Sequence, residues 1–144
     1  MIIDPVRVAE ILGGPRVLRQ RVRTLADLNA VVAAGLPIAS LDAAAAHVAG
    51  STGSAAALKH RLVPRPTRAR RTRLKVVESE RVERLARVMA LAEAVWENEE
   101  DARAFMHEPH PLLEERSPLD VAATELGARR VEELLAKLEY SLPV

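Results

Sequence analysis

The segment RSPLDVAATELGARRVEELL, residues 116–135, holds two helix starts in close succession. Ser117 stands where a cap is needed, and Pro118 suits the first helical position, whose amide has no intrahelical partner. Asp120 follows three residues after the cap. Thr124 is placed to cap a second helix, in which Val131, Leu134, Leu135 and Leu138 form an apolar stripe at steps of three and four. Gly127 interrupts the first turns of that helix, where glycine costs about 1 kcal/mol against alanine. It points either to a close backbone approach or to a bend between the two helices.

The same grammar runs upstream. In ESERVERLARVMALAEAVWEN, Val82, Leu85, Met89, Ala92 and Trp96 lie on one helical stripe, as core or interface residues. Asn98 is placed to cap EEDARAFMH, and the prolines of HEPHPLLEER make a loop. Near the start, Asp4 and Pro5 open a helix that Gly13-Gly14-Pro15 ends. Thr24 and Asp27 open another, with Leu25, Leu28, Val31 and Val32 on one face and Gly35 as its stop. Ser40 is the expected cap of a helix over 41–49 that Gly50 closes, and Ser54 caps a further one broken at Val63-Pro64. No stretch alternates with period two for long enough to make a strand. The chain is expected to be all-α.

Composition agrees. Of 144 residues, 2% are aromatic, and alanine, leucine and valine fill the apolar positions, as suits helix packing. The absence of cysteine excludes disulfides and thiolate metal sites. His47, His60, His107 and His110 lack a metal-ligand spacing, so no metal site is expected. No nucleophile elbow or glycine-rich phosphate loop appears, and neither an enzyme nor a cofactor is expected. Without a membrane-length apolar run or a signal-like N-terminus, the expected location is cytoplasmic, away from the membrane.

The net charge of +1 conceals two opposite halves. Residues 1–75 hold 13 Lys/Arg against 4 Asp/Glu, and residues 76–144 hold 8 against 16. The division suggests a basic part, 1–75, for a polyanion, and an acidic part, 76–144, for another partner; mutual attraction of the halves is the plainer alternative. From Lys59 to Lys75 there are eight basic residues and no acidic one. Ser54–Arg61, a turn at Leu62–Pro64 and a helix from Pro66 to near Arg73 resemble a helix-turn-helix. Arg65, Arg68, Arg70, Arg71 and Arg73 are then its candidate DNA contacts, since arginine forks suit phosphate and guanine.

A family resemblance adds to this. DARAFM ahead of PHPLL, then SPLD, then TELGARRVEELL, resemble the toxin-binding domain of the Xre/MbcA/ParS antitoxins. GLPIASLD at 35–42 and ESERVERLARV at 78–88 are similar to the family's pattern too. The likeness spans residues 78–140 well and 35–77 loosely. It implies an antitoxin of a type II pair whose partner is a RES-domain toxin that consumes NAD or transfers its ADP-ribose. Such an antitoxin sets its C-terminal region at the toxin's NAD cleft. Carried onto this chain, Arg129, Arg130, Glu133, Lys137 and Tyr140 are the candidate toxin contacts, with residues 141–144 beside them. Operator DNA is the second implied partner, bound by a homodimer within a hetero-oligomer. A stand-alone helix-turn-helix regulator with a protein-binding acidic half is the alternative.

Overall fold

The computed structural model describes residues 2–50, 54–64 and 71–141. Among these the chain is all-helical: α1 (Pro5–Ile11), α2 (Gly14–Leu18), α3 (Leu25–Ala33), α4 (Ile38–Ala49), α5 (Ala55–Leu62), α6 (Val76–Trp96), α7 (Glu99–His107), α8 (Pro118–Val121) and α9 (Glu125–Ser141), with a 3-10 turn at Pro111–Leu113. Two isolated antiparallel bridges, Pro37 with Arg73 and His110 with Arg116, are the only extended pairings among the described residues. The chain divides into two compact units, Asp4–Ala86 and Met1–Ile3 with Arg87–Val144, so the division falls inside α6.

Most of the expected caps form, because each is a bond within three or four residues. Asp4 accepts from the amides of Val6 and Arg7. Thr24 and Asp27 form a reciprocal capping box, and the amides of Arg23 and Thr24 hold the Asp27 carboxyl below its ordinary pKa. Ser54 and Asn98 cap α5 and α7 through the amides of Ala57 and Asp101.

In the Asp4–Ala86 unit α1 packs on α2, α3 and α4, and α4 on α5. Val8, Leu12, Leu36, Leu41, Val48, Val63 and Val82 are fully buried. Two details go beyond what the spacing shows, and one expectation is corrected. Leu25 is exposed although it shares a face with buried Leu28, Val31 and Val32, because it lies in the helix's first turn. Gly13-Gly14-Pro15 does more than end α1: Gly13, at φ 111°, caps α2, with Pro15 in its first turn. Ser40 does not cap α4. The helix begins at Ile38, three residues earlier, and the buried Ser40 hydroxyl has no hydrogen-bond partner among the described residues. The amide of Ile38 instead donates to the carbonyl of Thr72, 2.9 Å away, so a distant segment does the work of a cap.

That segment is stapled to 35–38 by several bonds. The Leu74 amide donates to the Leu36 carbonyl at 2.8 Å, and the Leu36 amide to the buried Ser79 Oγ at 2.8 Å. Gly35 has φ +88°, and a Cβ there would stand 2.6 Å from the Leu74 carbonyl oxygen. Glu78, at the third position of α6, completes the staple. Its carboxylate takes both terminal nitrogens of Arg71, at 2.7 and 3.0 Å, and the Lys75 amide at 2.8 Å.

These bonds, led by Arg71, hold the Glu78 carboxyl below its ordinary value of 4.5 despite its burial. The folded state therefore binds fewer protons than the unfolded one, and acid favours unfolding. Glu78→Gln is expected to cost about 2 kcal/mol at neutral pH. In denaturation measured across pH, the gap between wild type and variant should be full above pH 4.5 and close as pH falls through the lowered folded value. A gap that does not change with pH would mean the carboxylate charge plays no part.

Candidate functional site

The acidic unit turns on the junction between α8 and α9. Ser117 Oγ accepts from the Asp120 amide, and α8 lasts a single turn. Thr124 Oγ1 then accepts from the Gly127 amide at 3.0 Å, starting α9. A Cβ on Gly127 would lie 1.7 Å from the Val121 carbonyl oxygen. Of the two readings of this glycine, close backbone approach is what the structure shows: the end of α8 lies against the first turn of α9.

The approach fixes which face of α9 is buried. Ala128, Val131, Leu134 and Leu135 point inward, and Leu138 lines a cavity of about 320 Å³ with Trp96, Phe105, Pro109 and His110. Phe105 sits between Trp96 and His110, with ring centroids 6.2 and 6.4 Å away. Arg87 braces the flank of α9 against Glu125 and Glu132, at 3.8 and 3.6 Å.

The opposite face is open. Leu126, Arg129, Glu133, Lys137 and Tyr140 follow one another at steps of three and four, and all are exposed. Apolar groups mark its two ends: Leu126 is 73% and Tyr140 82% exposed. The two adjacent arginines differ. Arg130 is held by both Glu114 oxygens, at 2.8 and 2.7 Å, and donates to the Leu112 carbonyl at 3.4 Å. Its hydrogen bonds draw the exposed Glu114 carboxyl below the ordinary glutamate range. The Arg129 side chain is exposed and makes no hydrogen bond or ion pair with another described residue.

The structure thus brings Arg129, Glu133, Lys137 and Tyr140 onto one free face, and places Arg130 at its edge as a strut to the 111–115 turn. Residues 142–144 lie outside the described residues. Leu126 went unnoticed in the sequence, although its position one turn before Arg129 and Arg130 put it on their face. Exposed Leu112, beside Arg130, had no such signal, because its place depends on the fold of the turn.

Residues 91–140 match the family described as Antitoxin Xre/MbcA/ParS C-terminal toxin-binding domain. No curated protein matches the chain. The matched toxin-binding domain begins within α6 and ends at Tyr140, so it contains the whole open face of α9. It is shorter than the 78–140 resemblance in the sequence, and it leaves the basic segment outside.

Of the candidate DNA contacts in that segment, Arg65, Arg68 and Arg70 lie outside the described residues. Arg71 is engaged with Glu78, and Arg73 is exposed with Nη1 donating to the Gly35 carbonyl at 2.7 Å. Residues 71–75 are not helical, because the Pro37 bridge and its flanking bonds hold them extended. A helix running to Arg73 is therefore corrected: any recognition helix ends before Arg71. No described helix is long and apolar enough to cross a membrane.

Proposed function

We propose that the chain is the antitoxin of a type II toxin–antitoxin pair and neutralises its toxin by occlusion, without chemistry of its own. The partner is a RES-domain toxin that uses NAD, and the open face of α9 enters its NAD cleft. Tyr140 and Leu126 supply desolvated anchors at the ends of the face, and Arg129 and Lys137 meet polar or acidic groups between them. One observation carries this reading: a helix face with large apolar residues left in solvent lies wholly inside the segment that matches a toxin-binding domain. The basic part binds operator DNA in the same reading, as a homodimer within the hetero-oligomer, so that two copies read two half-sites.

Co-expression with a RES-domain toxin encoded beside this chain tests the proposal. The chain is expected to co-purify with the toxin and to restore growth that the toxin alone arrests. A chain that does neither is not this toxin's antitoxin.

A further inference from the structure

A cleft of about 490 Å³ opens in the Asp4–Ala86 unit, where the end of the linear basic run meets α2. Three arginines from two segments line it: Arg16 on α2, Arg19 at the end of α2, and Arg73 on the segment bridged to Pro37. No acidic residue is among the described residues that line it, and Val17, Pro37 and Ala39 give it an apolar wall beside the charges. Arg16 and Arg19 are exposed and make no hydrogen bond or ion pair with other described side chains.

The backbone at Arg19 is unusual. It closes α2 in the left-handed region, at φ 60° and ψ 24°, with its amide bonded to the Pro15 carbonyl. Glycine or asparagine takes this conformation more readily than arginine, for which it costs on the order of 1 kcal/mol. Arg19, held in this conformation, lines the cleft together with Arg16 and Arg73. Arg73 is fixed there by its bond to the Gly35 carbonyl, which uses one of its five donors.

Like charges gathered in one cleft repel one another, and an anion between them relieves this. Guanidinium forks match phosphate oxygens, and the apolar wall suits a sugar or base next to the phosphate. We propose that this cleft binds the phosphate of a nucleotide unit, and that in the cell this phosphate belongs to the DNA backbone. The second clause rests on the reading of the N-terminal unit as a DNA-binding part. It gives residues 16–19, which the sequence left without a role, the task of positioning the duplex.

The full-length variant R16Q/R19Q tests this against R21Q/R23Q, which removes the same charge from exposed positions of the same unit. Binding of a labelled duplex from just upstream of the reading frame is followed by anisotropy at several salt concentrations. R16Q/R19Q should bind at least fivefold more weakly than R21Q/R23Q, and its log K against log salt slope should be shallower by about 0.9 for each phosphate it no longer neutralises. Unaltered circular dichroism and thermal unfolding should accompany the weaker binding, since both side chains are exposed. If the wild type binds the duplex and R16Q/R19Q is weakened no more than the control, the cleft proposal is overturned and the DNA reading survives. If the wild type binds no duplex, amide NMR shifts on titrating AMP and inorganic phosphate decide. Shifts at residues 16–19 and 72–73 that R16Q/R19Q abolishes would keep the phosphate site and reject DNA as its source. No shift would overturn both.

Discussion

Replacing Gly127 by alanine is expected to destabilise the C-terminal unit by about 3 kcal/mol, against the usual preference of helices for alanine. In an unconstrained helix interior the same change would stabilise by up to about 1 kcal/mol. Here the new methyl would stand 1.7 Å from the Val121 carbonyl oxygen and 2.8 Å from Thr124 Oγ1. A backbone oxygen cannot rotate aside as the end of a long side chain can, so α8 and α9 must separate. Separation would pull Thr124 from the Gly127 amide and lift Ala128 and Val131 from their buried positions. Urea denaturation of the full chain would show a lowered midpoint. A midpoint unchanged or raised would mean that the two helix ends do not meet as closely as described. The variant should also bind its toxin less well, because the open face of α9 is aimed by this junction.

The second large effect is expected at the proposed toxin interface. If the open face of α9 meets the toxin, Arg129→Glu should weaken toxin binding by about 100-fold, since like charges brought together across an interface cost several kcal/mol. Tyr140→Ala should weaken it by about 30-fold, a loss of about 2 kcal/mol that is usual for a buried aromatic anchor. Neither side chain is bonded within the described chain, so thermal unfolding should not move. Arg130→Ala should behave differently. It removes the link to Glu114 and loosens the 111–115 turn, and so should cost affinity less than Arg129→Glu does. An exposed pair of this kind contributes little to stability. Calorimetric titration of purified toxin orders the three variants. Full affinity in both Arg129→Glu and Tyr140→Ala would remove this face of α9 from the interface.

Much of the candidate site was legible because helical periodicity is a short-range rule. The stripe Val131, Leu134, Leu135 and Leu138 marked the inward face, and Arg129, Glu133, Lys137 and Tyr140 then had to share the other. What periodicity could not do was separate Arg129 from Arg130. Adjacent residues on a helix diverge by about 100°, but only the turn at 111–115, which brings Glu114 and the Leu112 carbonyl to Arg130, makes one of them a strut.

The basic segment was read less well, for the same reason inverted. Its spacing allowed a helix through Arg73, but residues 71–75 were claimed by partners some forty positions away: Gly35, Leu36 and Ile38 on one side, with Ser79 and Glu78 closing the staple. Those bonds engaged half-buried Arg71 with Glu78, moved the start of α4 from residue 41 to Ile38, and placed Arg73 in one cleft with Arg16 and Arg19.

By itself, the sequence determined the helical class, most of the caps and the two-sided character of α9. Each is an interaction between residues no more than about one or two helical turns apart, whose geometry the helix fixes in advance. Only the tertiary structure decided which backbone Gly127 meets, which arginine stays free, and which basic residues converge. Those depend on how the α8–α9 junction turns and on which distant segments meet, and helical spacing encodes neither.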